Sequence, residues 1–146
     1  MARHHTPPET LLSIRCCGSS TSATLQWTEP ADDAKRAWNN RDDATRDAAY
    51  IVSLATLESE LGFVALSRAE TRTGADYYVG QPGPLDLDTA YRLEVSGVDV
   101  GDQARLRGRL REKLHQAAEG SSNLPAFASV VGFEGAVVLV EAVQEP

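Results

Sequence analysis

The sequence predicts one α/β domain, a mixed sheet flanked by helices, and three observations support this. Residues 44–61 and 102–118 carry the three-and-four spacing of apolar residues that is typical of amphipathic helices. Short apolar runs such as AYRLEVSG and AFASVVG lie between and after them and have the composition of strands. The length of 146 residues is enough for one domain with a buried core and short for two.

Composition places the chain among folded globular proteins, because 42% of its residues are hydrophobic and 24% are charged. No run approaches the roughly 18 apolar residues of a membrane span, so we expect no membrane partner. The first ten residues lack the apolar segment of a signal peptide, and we therefore expect a cytoplasmic protein. Cys16 and Cys17 are adjacent and have no matching Cys/His cluster, which favours two reduced thiols.

The net charge of −7 repels nucleic acid at long range unless the basic residues are concentrated in one place. Five of the fourteen basic residues fall within positions 105–113, in RLRGRLREK. This cluster predicts contacts with nucleic acid through Arg107 and Arg111. The same letters are also typical of the solvated face of an amphipathic helix, and that alternative stays open.

Residues 1–43 are predicted to be a loosely attached N-terminal extension of a core at residues 44–146, with one domain overall. Leu25 and Trp27 alternate and CCGSSTS indicates a turn, so a short hairpin is expected. Pro30 followed by ADDAKRAW predicts a short helix with acids in its first turn, where the helix dipole favours them. The NNRDD stretch is expected to break or bend that helix.

The helix predicted over 44–61 places Tyr50, Leu54, Leu57 and Leu61 on one stripe, and Gly62 ends it. Glu58 lies beside this stripe on a helical wheel. A carboxylate on the buried side of a helix is costly unless it is paired or bound to a metal, which makes Glu58 a candidate for function. A glutamate at the helix edge that reaches water is the alternative.

Three strands are predicted after this helix. GFVALSRAE and ADYYVG form an antiparallel hairpin joined by the polar TRTG, and AYRLEVSG follows the loop QPGPLDLD. In the last strand Glu94 and Ser96 share the face opposite to Leu93 and Val95. Asp76 and Glu94 therefore interrupt the second and the third strand.

The helix predicted over 102–118 has an apolar stripe centred on Leu106 and Leu110. Arg107 and Lys113 flank that stripe, whereas Arg109 faces away from it. The segment AFASVVGFEGAVVLVEAV then predicts two closing strands that turn at residues 133–135.

The order helix-strand-strand-strand-helix-strand, with an acid in the second and third strands, resembles the PD-(D/E)XK nuclease superfamily over residues 44–143. The resemblance implies a restriction-endonuclease-like core and a Mg²⁺ (or Mn²⁺) ion held by Asp76 and Glu94, with Glu58 as an accessory acid. A divalent cation neutralises the charge that develops on a phosphodiester and lowers the pKa of an attacking water. Magnesium takes hard oxygen ligands, often one or two carboxylates, beside water and phosphate.

Ser96 departs from the superfamily pattern, which would be Glu-x-Lys where this chain has Glu-Val-Ser. Serine cannot supply the positive charge that holds the attacking water, so Ser96 puts activity in doubt. Some members of the superfamily take that lysine from the following helix. Lys113 is therefore the predicted replacement as a catalytic residue, and Arg107 is the next candidate.

Three functions are compatible with this pattern. The first is a metal-dependent nuclease, or a subunit of one, that acts on DNA or RNA. The second is a nuclease-like fold that has lost catalysis and serves as a nucleic-acid or protein binding module, which Ser96 favours. The third is an acidic immunity or antitoxin-like protein whose charge suits a basic partner. For a nuclease this small, a homodimer or a larger complex is expected for gripping a duplex.

Overall fold

The computed structural model describes residues 1–70, 75–84, 86–120 and 122–143. The strands, in chain order, are β1 (Glu9–Cys16), β2 (Ser19–Gln26), β3 (Val64–Arg68), β4 (Tyr77–Gly80), β5 (Tyr91–Val98), β6 (Ala126–Gly132) and β7 (Val137–Ala142). The α-helices are α1 (Asp32–Ala37), α2 (Arg41–Leu61) and α3 (Gln103–Glu119). Within the described ranges, no helix has both the length and the apolar character needed to cross a bilayer.

All seven strands belong to one mixed sheet in the order β2-β1-β7-β6-β5-β4-β3. The neighbours β1 and β7 run parallel, as do β5 and β6, and the other pairs are antiparallel. The mixed α/β class predicted from the sequence is therefore confirmed. Along the chain, α2, β3, β4, β5, α3 and β6 follow one another in the predicted order of elements.

The two long helices cover opposite faces of the sheet, and the alternation of side chains along β6 shows this. Val131 is fully buried in the apolar cluster that contains Leu57 of α2. Its neighbour Val130 is fully buried in a second cluster that contains Leu106 and Leu110 of α3. The domain is thus three layers, helix on sheet on helix, with a core on each face.

Helix α2 begins three residues before the predicted start at residue 44. The side chain of Asn40 accepts hydrogen bonds from the backbone N–H groups of Asp42 and Asp43, which satisfies two donors at the helix end. The NNRDD stretch therefore starts α2, after α1 has ended at Ala37. Gly62 ends α2 in the left-handed conformation, at φ 70°, as the sequence predicts.

The N-terminal segment contains the expected hairpin, β1 with β2, and the expected short helix α1. We expected residues 1–43 to be a loosely attached extension, but β1 also pairs with β7 and so belongs to the main sheet. The terminus before β1 is held as well, because His5 Nε2 donates to the carbonyl of Phe133 at 2.7 Å. Pairing between distant segments cannot be read from local alternation, which indicates only which face is buried.

The strand predicted at ADYYVG begins at Tyr77, so Asp76 lies one residue before β4 instead of within it. Its backbone N–H still donates to the carbonyl of Leu93 at 2.8 Å, which holds it against β5. The predicted TRTG turn, including Thr73 and Gly74, lies outside the described residues. Strand β5 and helix α3 lie within one residue of their predicted bounds, and Asp102 caps α3 by accepting from the N–H of Arg105.

Gly97 of β5 permits an unusually close approach of α2 to the sheet. A Cβ at this position would lie 2.7 Å from the carbonyl oxygen of Thr45 and 3.2 Å from the side chain of Ala49. Only a residue without a side chain fits there without a shift of the helix. This contact sets the N-terminal half of α2 beside the end of β5, where a cleft opens.

Candidate functional site

A cleft of about 1200 Å³ lies between the N-terminal half of α2, the second half of β5 and α3. Its lining includes Tyr50 from α2, Asp76 at the start of β4, Ser96 from β5, and Arg109 and Lys113 from α3. Asp76, Ser96 and Lys113, three of the predicted site residues, therefore line one cleft, whereas Glu94 is not among its lining residues.

Asp76 is held in place through both of its carboxylate oxygens. Oδ2 accepts a hydrogen bond from the backbone N–H of Val95 at 2.8 Å, and Oδ1 accepts one from the hydroxyl of Tyr50 at 2.8 Å. Each carboxylate oxygen has a second lone pair, so both can still accept or coordinate another group. Asp76 is therefore preorganised and retains the capacity to bind a cation.

Glu94 forms an ion pair with Lys113 at a distance of 2.6 Å between Oε1 and Nζ. Their side chains are only 12% and 16% exposed, which makes this a largely buried pair. The pKa of Glu94 is raised above its ordinary value, mainly because burial disfavours the charged form, and the neighbouring Asp76 carboxylate raises it further. The hydrogen bond from Lys113 opposes both effects. The contact between Lys113 and Glu94 is the one that the sequence predicts.

Ser96 holds a second cation that the sequence analysis missed. Arg109 Nε donates to Ser96 Oγ at 2.8 Å, and Arg109 Nη1 donates to Glu112 Oε2 at 2.9 Å. Positions four apart on a helix lie about 6 Å apart along its axis, and positions two apart on a strand lie about 6.6 Å apart. Arg109 and Lys113 therefore match Ser96 and Glu94 in spacing, and this match is the sequence signal that could have found Arg109.

Asp76 and Glu94 are called the acid pair below, and Tyr50 contacts this pair from the α2 side through Asp76. Burial, and then its hydrogen bond to Asp76, raise the pKa of Tyr50 to about 12, so its hydroxyl stays protonated and donates at neutral pH. The guanidinium carbon of Arg68 lies 5.7 Å from the centre of the Tyr50 ring and 5.8 Å from that of Tyr77. These contacts orient the ring that carries the hydroxyl.

Glu58, the predicted accessory acid, does not join the acid pair. It is exposed and lies eight residues beyond Tyr50 on α2, about 12 Å along the helix axis, outside the cleft. On the wheel Glu58 is close to the stripe that contains Tyr50, but a wheel does not show how far along the helix a residue lies. Among the residues that the structure describes, no group of three Asp, Glu, His or Cys side chains could hold a metal ion.

Arg107 and Arg111, the predicted nucleic-acid contacts, lie outside the cleft. Arg107 Nη2 donates to Gln103 Oε1 at 3.1 Å and borders a smaller cavity beside the turn between β1 and β2. Arg111 is exposed. The basic side chains that line the cleft are Arg41, Arg46, Arg105, Arg109 and Lys113.

Asp99 closes the end of the cleft as the centre of a charged network. His4 Nε2 lies 2.7 Å from its Oδ1, Arg3 Nη1 lies 3.7 Å from its Oδ2, and Arg41 forms a hydrogen-bonded ion pair with it. Burial alone would raise the pKa of Asp99, but the hydrogen bonds from His4 and Arg41 outweigh it, so its pKa is lowered. The ionised carboxylate therefore fastens the N-terminal segment to α2.

Comparison of the chain with models of protein families, with curated proteins and with solved structures finds no match. What the cleft can do chemically therefore follows from its own residues.

Proposed function

We propose that this chain is a metal-dependent phosphodiesterase, a nuclease domain in which Asp76 and Glu94 hold one Mg²⁺ or Mn²⁺ ion. The observation that carries the proposal is the 2.6 Å contact between Lys113 Nζ and Glu94 Oε1. It brings a positive charge from α3 to the acid pair, whereas the nuclease pattern has that charge two residues after the glutamate. The order of elements from α2 to β6 also supports the resemblance.

The acid pair fits a hard divalent cation. Two neighbouring carboxylates repel each other, and the raised pKa of Glu94 reflects its burial first and then this repulsion from Asp76. A bound cation relieves it. Magnesium commonly takes one or two carboxylates and completes its shell with water and substrate phosphate, so a third protein acid is not required. The open cleft beside Asp76 leaves room for these ligands.

The cations on α3 would act on the phosphate group. A bound metal ion would neutralise the charge that develops on the phosphodiester and would lower the pKa of the water that it binds. Lys113 lies beside Glu94, where its ammonium group orients the attacking water and attracts a phosphate oxygen. Arg109 uses two of its five N–H donors on Ser96 and Glu112, and its other donors, which have no partner among the described residues, can bind a phosphate oxygen in the cleft.

The charge of the cleft suits a nucleic-acid backbone. Five basic side chains line it, against the acids Asp42, Asp76, Asp99 and Glu112, in a chain whose net charge is −7. Local concentration of cations on an acidic protein allows a phosphate backbone to bind there. The substrate class is DNA or RNA.

Cleavage of plasmid DNA and of a single-stranded RNA in the presence of Mg²⁺ or Mn²⁺ tests the proposal. We expect cleavage by the unmodified chain and at least a hundredfold loss of rate in Asp76→Asn and in Glu94→Gln. Glu58→Gln is the matched control, because Glu58 is exposed and lies about 12 Å along α2 from Tyr50, the residue that contacts Asp76, and its rate should be unchanged. The nuclease proposal fails if no substrate is cleaved with either metal, or if the two site variants cleave as fast as the control.

One observation favours a second candidate, a nuclease-like module that binds nucleic acid without cleaving it. Lys113 already neutralises Glu94, and Arg109 is bound by Ser96 and Glu112, so Glu94 and both cations of α3 have partners without a metal ion. This candidate predicts binding that is unaffected by EDTA and weakens steeply with salt, with no cleavage under any metal. The cleavage assay above separates the two candidates.

A further inference from the structure

A second cavity, of about 750 Å³, lies next to the cleft, on the side of the N-terminal residues. It is bordered by the N-terminal residues, by α1 and by the first turns of α2. Arg41, Thr45 and Asp99 line both the cleft and this cavity, so the two share a wall.

Trp38, which follows α1 directly, contributes an exposed indole to this cavity. Its exposed fraction is 53%, and it is the largest apolar side chain among those that the structure shows exposed. Leaving an indole in water forgoes the stabilisation that burial of so large an apolar surface provides. An exposed tryptophan that lines a cavity is therefore well suited to contact a flat partner.

The charges around Trp38 favour an anionic ligand. Arg3, Lys35 and Arg41 line the cavity, against the acids Glu29 and Asp99. The hydrogen bonds and ion pairs of Asp99 with His4, Arg3 and Arg41 hold the N-terminal wall in place. The cavity thus combines an aromatic face with excess positive charge, and it shares Arg41, Thr45 and Asp99 with the cleft proposed to bind a phosphate backbone.

We propose that this cavity is a base-stacking subsite, in which Trp38 stacks on a nucleobase of a single-stranded segment whose phosphates continue along Arg41 into the cleft. The ligand class rests on the proposed function, since the cleft is where the backbone would bind. Stacking of a base on an aromatic side chain tolerates any sequence, because every base has a π-face. The subsite therefore predicts a preference for unpaired strands over duplex.

Binding of fluorescein-labelled oligothymidylate, twelve nucleotides long, tests the subsite in EDTA, where no cleavage occurs. An abasic strand of equal length provides the same phosphates without bases. We expect the unmodified chain to bind oligothymidylate at least fivefold more tightly than the abasic strand, which corresponds to the lower end of the energy of base stacking, about 1 kcal/mol. Trp38→Ala should remove this preference, and Trp38→Phe should retain most of it.

Ile51→Ala is the matched control, because Ile51 is 70% exposed and lines neither cavity. A direct measurement uses Trp27→Phe, which leaves Trp38 as the only tryptophan of the two in the chain. In this variant we expect oligothymidylate to quench the tryptophan fluorescence and the abasic strand to leave it unchanged.

Three results would overturn the subsite: equal binding of the two strands, unchanged binding in Trp38→Ala, or the absence of quenching. Loss of self-association in Trp38→Ala with unchanged binding of oligothymidylate would instead assign Trp38 to a protein contact. The outcome is separable from that of the proposed function. Stacking on Trp38 without any cleavage would contradict the nuclease and leave the subsite standing, and cleavage without dependence on Trp38 would do the reverse.

Discussion

Replacement of Lys113 by methionine tests the buried ion pair on which the site depends. The change keeps most of the length and apolar surface of the side chain and removes its charge, so Glu94 remains 12% exposed beside Asp76 without a counter-charge. Removing one partner of a buried pair costs about 3–5 kcal/mol when the remaining charge has no escape. Glu94 can avoid this cost in part, because its carboxylate can take up a proton and become neutral.

Protonation of Glu94 limits the loss of stability and makes it depend on pH. Its ordinary pKa of 4.5 is raised in the folded chain, so its contribution favours folding at acidic pH and diminishes as pH rises from 4.5 through the raised value. Without Lys113 the pKa of Glu94 rises further, so the pH range in which protonated Glu94 favours folding extends to higher pH. Protonating a carboxyl group costs about 1.4 kcal/mol for each pH unit above its ordinary pKa, here 4.5. The loss in free energy of unfolding therefore stays below about 4 kcal/mol at pH 7.5 and below about 0.7 kcal/mol at pH 5.

We therefore predict that Lys113→Met lowers the free energy of unfolding by about 2–3 kcal/mol at pH 7.5 and by less than about 1 kcal/mol at pH 5. Urea denaturation at the two pH values measures it. The double variant Glu94→Gln/Lys113→Met leaves no buried charge and should show no such difference. An equal loss at both pH values, or one under about 0.5 kcal/mol at pH 7.5, would refute the reasoning.

Three further variants test the packing and the charge of the site. Ser53→Ala leaves the fully buried hydroxyl of Ser129 without its 2.7 Å partner, and urea denaturation should show a loss of about 1–3 kcal/mol, partly recovered when both serines are alanine; full stability in the single variant would contradict this. Gly97→Ala places a Cβ 2.7 Å from a carbonyl oxygen of α2 and should cost about 1–3 kcal/mol by the same measurement, so an unchanged midpoint would contradict the close approach. Arg109→Ala should weaken DNA binding and lower the salt slope of log K by about one, whereas Arg111→Ala should change neither, and equal effects of the two would contradict the assignment of the cleft as the binding surface.

Local patterns in the sequence predict much of the fold. The leucines of α3 recur at helical spacing, and this pattern is incompatible with the alternation of a strand, so it predicts the helix. The alternation of apolar and polar residues around Leu93 predicts β5. The predicted start of α2 at residue 44 is wrong, because an asparagine such as Asn40 can end one helix or cap the next, and here it caps α2. The parallel pairing of β1 with β7 could not be predicted, since it joins segments more than a hundred residues apart.

The candidate site is predicted only in part. The contact of Lys113 with Glu94 follows from the position of Lys113 at the edge of the apolar stripe of α3. The sequence does not predict Arg109 as a site residue, because a side chain that points away from the apolar stripe usually faces solvent. In the structure, Arg109 lines the cleft and donates to Ser96. Glu58 is predicted from its angle on the helix, although its distance along α2 from Tyr50, which contacts Asp76, decides whether it can reach the site.

Titration calorimetry of Mn²⁺ into the chain tests the central claim most directly, because it measures whether Asp76 and Glu94 hold a cation. We predict one ion bound per chain, with binding lost in Glu94→Gln and retained in Glu58→Gln. A chain that binds no Mn²⁺, or a Glu94→Gln variant that binds it as tightly as the unmodified chain, would contradict the claim.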